Sequence, residues 1–281
     1  MLKSRGFLIF SYSLLGLLSI MMIVPLINVI ATSFSTGLGS MQPGVIFWPD
    51  KFTFEAYEVL WRRLEYWRPL MNTIFVTSVG SIIHVFLSAI GGYVLAQSSL
   101  PGKKLIAIII LLTLTIPSQI IMVPLFVVFK QFHLLNTLTS LIVAELVSGF
   151  SILLMKTYFE RIPIELKESA KIDGANTWLI FLKIYVPLTL PGLATVLMFD
   201  VVKKYNMFIE PLIFINDPLK MTLQVALKSI VLNDQVTSTN DIITPNVVSA
   251  GIVLALAPLI LFYPAIQRYF ITGIYSGAVK E

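Results

Sequence analysis

Residues 161–178 read Arg-Ile-Pro-Ile-Glu-Leu-Lys-Glu-Ser-Ala-Lys-Ile-Asp-Gly-Ala-Asn-Thr-Trp. Pro163 stands where a helix begins, because its missing N–H is not needed at the first position. Glu165 and Glu168 occupy the early turns and Lys171 the last, which complements the helix dipole. Leu166, Ala170 and Asp173 are spaced i, i+4, i+7 and share one face. Gly174 supplies the φ > 0 conformation that ends a helix. Asn176 or Thr177 caps a second short helix. The segment predicts a compact helix–turn–helix with small residues at its turn, where another backbone can approach closely. The plainer reading is a loop that only joins two elements, but such a loop could be much shorter.

On both sides of this segment the chain is poor in charge. Charged residues make up 12% of the 281 and hydrophobic ones 57%. A soluble domain carries about 25% charged residues, so this composition belongs in a bilayer. A spanning helix needs roughly 20 mostly apolar residues. Charge-poor runs predict six spans, at about 7–31, 70–96, 105–129, 137–158, 185–208 and 247–269. The helix–turn–helix lies in the loop 159–184, and Pro187 and Pro191 mark the chain's return to the membrane. Lys3 and Arg5 before the first span invite a signal-peptide reading. Its apolar stretch exceeds the typical h-region and five spans follow, so it reads as an uncleaved helix.

Orientation follows from Lys and Arg. With the N-terminus inside, the inner segments hold Lys3, Arg5, Lys103, Lys104, Lys156, Arg161, Lys167, Lys171, Lys183, Arg268 and Lys280. These are a majority of the 20 basic residues, in the shorter total length. Both termini and the loop 159–184 are therefore expected in the cytoplasm. The outer loop 32–69 carries Trp48, Tyr57, Trp61, Tyr66 and Trp67, which suit a membrane interface.

Several chemistries are excluded. There is no cysteine, hence no disulfide or thiolate site. His84 and His133 lie too far apart for a histidine metal motif, so no metal or catalytic residue is expected. The chain has no Gly-rich phosphate loop, so any ATP chemistry lies on a partner. The net charge of +5 reads as cytoplasmic loop charge rather than as a nucleic-acid surface.

The loop then becomes specific. Glu168-Ser169-Ala170, Gly174, Ile184 and Val186-Pro187 resemble the E-A-A-x3-G-x9-I-x-L-P signature of bacterial binding-protein-dependent ABC importer permeases. Ser169 replaces Ala and Val186 replaces Leu. The form Ile172-Asp173-Gly174-Ala175 resembles the carbohydrate branch, which includes the maltose and oligosaccharide permeases. Asn72-Thr73, Ile116-Pro117, Val123-Pro124-Leu125, Leu134-Leu135-Asn136-Thr137, Pro218 to Ile230, and Tyr269-Phe270 through Gly277-Ala278-Val279-Lys280 extend the resemblance over nearly the whole chain.

The resemblance implies an all-α integral membrane protein. It is a single permease domain over 1–281 with six transmembrane helices, the type I ABC importer fold and a cytoplasmic coupling helix. It implies a second, usually non-identical permease subunit, two ATPase subunits that hold ATP and Mg, and an extracytoplasmic solute-binding protein. This chain itself binds no cofactor or nucleic acid. It resides, multi-pass and surrounded by lipid, in the bacterial cytoplasmic membrane. Glu168, Ser169, Ala170, Asp173, Gly174 and Ala175 would dock on the ATPase. Gly174 would fix the turn, Ala170 and Ala175 would permit close approach, and the acids would meet basic groups.

A few charges lie within the spans. Glu145 falls in span four, and Asp200, Lys203 and Lys204 in span five. Mid-membrane charge costs about 2.5–3.5 kcal/mol on insertion scales, so such residues pair or face water. Asp200 can pair with Lys203 or Lys204. In the resembled family span five lines the path. Tyr205, Asn206 and Phe208 then offer a sugar aromatic and hydrogen-bonding groups, and Lys203 or Lys204 would suit an acidic one. Self-neutralisation is the simpler role. His84 reads as a packed histidine, Pro117 and Pro124 as shaping span three, and Ser88 with Gly92 as a small-residue packing face. The competing readings are an importer permease for another solute, such as amino acids or phosphate, and an ion-coupled secondary transporter. No internal repeat supports the latter.

Overall fold

The computed structural model of the chain describes residues 5–233 and 243–278. Lys3, Val279 and Lys280 lie outside them. Among the described residues the regular structure is helical throughout. The helices run α1 (Arg5–Ser33), α2 (Gly37–Ser40), α3 (Glu55–Leu64), α4 (Trp67–Ala96), α5 (Lys103–Thr113), α6 (Ser118–Gln131), α7 (Leu138–Ala144) and α8 (Gly149–Phe159). They continue with α9 (Ile164–Ile172), α10 (Thr177–Ile180), a π-helical turn (Phe181–Tyr185), α11 (Val186–Leu188), α12 (Leu190–Tyr205), α13 (Ile209–Phe214), a 3-10 turn (Pro218–Lys220), α14 (Leu223–Asn233) and α15 (Pro245–Ala278).

Three stretches are long and apolar enough to cross a membrane unbroken: Gly6–Ser33, Trp67–Ala96 and Pro245–Pro264. Three further spans are bent pairs: α5 with α6 at 96°, α7 with α8 at 54°, and Thr177–Leu188 with α12 at 80°. Counting each pair as one crossing gives six. The expected spans 105–129, 137–158 and 185–208 are thus each a bent pair of helices. Pro117 lacks the N–H that would bond residue 113, and its ring crowds that carbonyl, so α5 stops at Thr113. Pro124, by contrast, sits inside α6. Ser148 is extended, and its hydroxyl accepts from Ser151 N at 3.1 Å, so a new helix starts inside span four. The helical stretch that leads into span five begins at Thr177. The backbone widens to a π-turn ahead of Pro187 and breaks at Thr189, whose hydroxyl bonds Tyr185 O at 2.8 Å.

The described residues group into two compact units. One comprises residues 1–66 and 226–258. Here α1 exposes apolar side chains along its length, as a lipid-facing helix does, and only its last turn is buried. Ser33 Oγ lies 2.9 Å from Tyr57 OH, Phe34 stacks on Phe52, and Tyr66 OH donates to Leu254 O at 2.9 Å. Asn246 Nδ2 donates to Ser35 O at 3.0 Å. The aromatic residues of the loop 32–69 divide accordingly. Tyr57 and Tyr66 anchor it, while Trp48 and Trp61 stay exposed.

The other unit comprises residues 67–225 and 259–281 and is built round α4. The Ser88–Gly92 face of α4 meets α8 at backbone distance. A Cβ on Gly92 would stand 2.6 Å from Met155 Cβ and 2.7 Å from Lys156 N. At one end Tyr93, Phe159, Phe181 and Tyr185 form an aromatic core. At the other, Phe129, Leu141, Met207 and Phe214 form a second. Asn72 Nδ2 donates to the carbonyls of Leu219 and Met221, both at 3.0 Å, and Thr73 Oγ1 accepts from Leu223 N at 2.8 Å. Asn136, at φ +59°, accepts from Asp217 N at 2.9 Å. The short polar motifs at the starts of spans two and four are thus clamps on the segment 216–223.

Candidate functional site

The segment 161–178 folds as its spacing predicts, and α9 has no buried residue. Asp173 caps it, with N–H bonded to Ser169 O at 3.0 Å. Gly174 follows at φ +81°, and Ala175 N returns to Ala170 O at 2.9 Å. That i+5 bond with a left-handed residue closes the last turn. Asn176, rather than Thr177, caps the next helix, accepting from Leu179 N at 2.8 Å.

Glu165, Glu168, Ser169 and Asp173 stand in solvent, and Ile172 is 86% exposed. Ala170 and Ala175 differ from expectation. Both pack against the Tyr93–Phe159–Phe181–Tyr185 core, so their small size seats the turn on its own spans. Lys167 donates to the Gln97 side chain just past the end of α4, a second tether. Burial pulls the Lys167 ammonium pKa down, Lys171 adds to that, and Glu168 opposes it.

The intramembrane charges converge at the break in span four. Lys204 is 0% exposed, and its Nζ donates to Asp200 Oδ1 at 2.9 Å and to the Glu145 carbonyl at 2.8 Å. That carbonyl lies at the C-terminus of α7, where the helix leaves acceptors unpaired. His84 Nδ1 lies 3.2 Å from Asp200 Oδ1, and Nε2 lies 2.8 Å from Ser151 Oγ. Ser148 Oγ donates in turn to Ser151 Oγ at 3.0 Å. With hydrogen on Nδ1, each member donates to the next: Ser148, Ser151, His84, Asp200. The Ser151–His84–Asp200 contacts match a hydrolytic triad in kind. Here, however, the serine is buried and the carboxylate is shared with Lys204, so the arrangement ties three spans together. Lys203, 59% exposed, pairs with Glu145 Oε1 at 2.7 Å.

Sequence reasoning offered Asp200 either lysine. The structure brings Asp200 to Lys204 and Glu145 to Lys203. Tyr205 is buried, Asn206 is exposed with its amide bonded back to Val202 O at 2.8 Å, and Phe208 is half-buried.

A cavity of about 400 Å³ opens beside these charges, lined in part by Glu145, Ser148, Phe150, Phe199, Asp200 and Lys203. Thr113, Leu114, Ile116 and Ser118, at the break in span three, line it as well. Lys204, Tyr205, Asn206 and Phe208 are not among its lining residues. Sequence reasoning read His84 as packed, and it is buried here against Ser151; it missed Ser148, Phe150, Ser151 and Phe199. The only local signal was Ser148-Gly149, a cap inside an apolar run.

Three comparisons bear on what this arrangement is. Residues 85–274 match the family described as "Binding-protein-dependent transport system inner membrane component". The polygalacturonan/rhamnogalacturonan transport system permease protein YtcP of Bacillus subtilis (strain 168) is 32% identical, over 99% of this chain and 100% of the relative. The arabinooligosaccharides transport system permease protein AraQ of Halalkalibacterium halodurans is 29% identical, over 92% and 91%. A solved bacterial ABC transporter involved in import of the acidic polysaccharide alginate contains a chain that superposes with a TM-score of 0.84. It is 28% identical, with 96% of this chain and 99% of that one covered.

An apolar six-crossing chain with this signature turn and these similarities defines a multi-pass transport permease. The chain belongs to the binding-protein-dependent transport system inner membrane component family. It is a transport subunit of the ABC importer type rather than an enzyme, and the ATPase of such a system is a separate partner.

Proposed function

We propose that the chain is one of two pore-forming subunits of an ATP-driven importer of oligosaccharides in a bacterial cytoplasmic membrane. Its partners are a second, non-identical permease, two ATPase subunits that carry ATP and Mg, and an extracytoplasmic solute-binding protein. Both termini and α9 lie in the cytoplasm, in keeping with the Lys and Arg distribution. The observation that carries the reading is α9 itself. It is a helix with no buried residue, closed by a left-handed Gly174 and tethered to α4 and to the aromatic core, in a chain whose relatives are named for polysaccharide and oligosaccharide transport.

The mechanism follows from those tethers. A force on α9 passes through Ala170 and Ala175 to the ends of α4 and α8 and to the start of span five. Closure of the ATPase pair moves α9, and the packed core moves with it as a rigid body between two pore states. Glu165, Glu168 and Asp173 present acid to a basic groove. Co-purification with an ATPase, and loss of uptake when that ATPase's phosphate loop is mutated, separates this reading from a secondary transporter. Mass spectrometry of the ligand on the cognate binding protein separates it from an importer of another solute.

The turn makes a prediction of its own. Nothing lies within 4 Å of a Cβ built on Gly174, so any effect of substitution comes from its φ and from the docked partner. Gly174→Asn, which tolerates the left-handed region, should keep more than about half the uptake. Gly174→Glu, with about 1–2 kcal/mol of backbone cost and a new charge at the docking face, should abolish uptake and substrate-stimulated ATP hydrolysis. Intact uptake and stimulation in Gly174→Glu would remove the coupling role.

A further inference from the structure

Two of the three broken spans break at the same place. Thr113, Leu114, Ile116 and Ser118 of span three, and most of residues 144–151 of span four, line one cavity of about 400 Å³. Non-helical backbone at membrane depth is tolerated only where it is buried in protein or lines a polar cavity. Here both kinds of helix end meet, the C-termini of α5 and α7 and the N-termini of α6 and α8. The cavity thus offers both acceptors and donors.

Its charges cancel in pairs, Lys203 with Glu145 and Lys204 with Asp200. Two buried carboxylate oxygens remain without a hydrogen-bond partner, Glu145 Oε2 and Asp200 Oδ2. Phe150 and Phe199 meet edge to face at 5.8 Å and line the same space.

Resting on the oligosaccharide reading above, we propose that this cavity is a saccharide subsite on the import path that grips one sugar unit by its hydroxyl groups. Glu145 and Asp200 accept from hydroxyls, Lys203 donates to one, and the Phe150–Phe199 pair covers an apolar ring face. The volume lies at the lower end of the range of about 300–1,000 Å³ for small-molecule sites, so it admits a short segment of a chain. A carboxylate does not fit here. It meets Glu145 and Asp200, and the exposed Lys203 is already paired with Glu145. An acidic oligosaccharide therefore places an uncharged hydroxyl face at this point and its carboxylate elsewhere.

The test uses the whole importer with its binding protein in proteoliposomes. The probes are a panel of neutral oligosaccharides and their uronate counterparts. If wild type takes up none of the panel, the oligosaccharide reading fails, and this one with it. Given uptake, Phe199→Ala and the bulk-preserving Phe199→Leu should each raise the KM for uptake about tenfold, the factor that about 1.4 kcal/mol represents. Glu145→Gln should raise it similarly, for neutral and acidic probes alike. Affinity for the isolated binding protein, which contains none of these residues, is the reference. Two results overturn the subsite: a KM within about twofold of wild type for all three variants, or a Lys203→Gln variant that loses only the uronate probes.

Discussion

Replacing Lys204 by Met should destabilise the protein by about 3–5 kcal/mol, the usual cost of leaving a buried partner charge uncompensated. The ammonium is fully buried and has two oxygens in reach, Asp200 Oδ1 at 2.9 Å and the Glu145 carbonyl at 2.8 Å. Its loss leaves both with only the His84 ring, whose Nδ1 lies 3.2 Å from Asp200 Oδ1 and 3.3 Å from the Glu145 carbonyl. Gly80 shows how closely the stem is held, since a Cβ there would stand 2.7 Å from Lys204 Cε. Removing the partner as well should recover most of the loss, because a neutral pair of similar volume is often tolerated where a single buried charge is not. Lys204→Met combined with Asp200→Leu should therefore be more stable than Lys204→Met alone. Unfolding by SDS titration in detergent reads the cycle. A single variant within about 1 kcal/mol of wild type would show that the pair holds nothing together.

Gly92→Leu should prevent assembly of the α4–α8 pair. Even the first added carbon meets backbone, with Lys156 N at 2.7 Å and Ile152 O at 3.0 Å, besides Met155 Cβ at 2.6 Å. Backbone cannot swing aside as a flexible side chain can. Overpacking commonly costs about 1–3 kcal/mol, and Gly92→Ala should fall at the upper end. Leucine forces the helices apart and opens the aromatic core beside Tyr93, so the folded yield should fall below about a tenth of wild type. Size-exclusion profiles and SDS titration check both variants. Gly91→Ala is the matched control. Its Cβ meets only the Ile152 side chain, at 3.2 Å, which can adjust.

What was legible in the sequence follows a physical division. Span positions were legible because roughly 20 apolar residues in a row have few other uses. Gly174 was legible because a left-handed residue at a helix end is a local requirement, and it lies at φ +81°. The helix breaks were less so. Pro117 was read as shaping span three, but a 96° turn depends on what the freed backbone finds across the fold. Ser148 shows in the sequence only as a cap-type serine before Gly149, until Ser151, itself bonded to His84, meets it.

The pairing of the span-five charges was undetermined for a similar reason. Residues three and four apart are both neighbours on a helix, and only the close approach of α4 turns Lys204 inward and leaves Lys203 outward. Ala170 and Ala175 illustrate a third limit. Their smallness was evident, but whether it serves a partner or the chain's own core depends on Tyr93 and Phe181, residues distant in sequence.

The buried Asp200–Lys204 pair also bears on how the protein is made. Span five carries Asp200, Lys203 and Lys204 and is too polar to rest comfortably in lipid by itself. Its contacts on other spans, His84, the carbonyl of Glu145 and the Glu145 carboxylate that pairs with Lys203, belong to spans two and four. Both are synthesised earlier, since chains emerge N-terminus first. By the time the ribosome delivers span five, the groups that receive its charges are already in the bilayer. Moving this helix ahead of span four by circular permutation would expose those charges to lipid before their acceptors exist, so chain order is itself part of the design of the charge cluster.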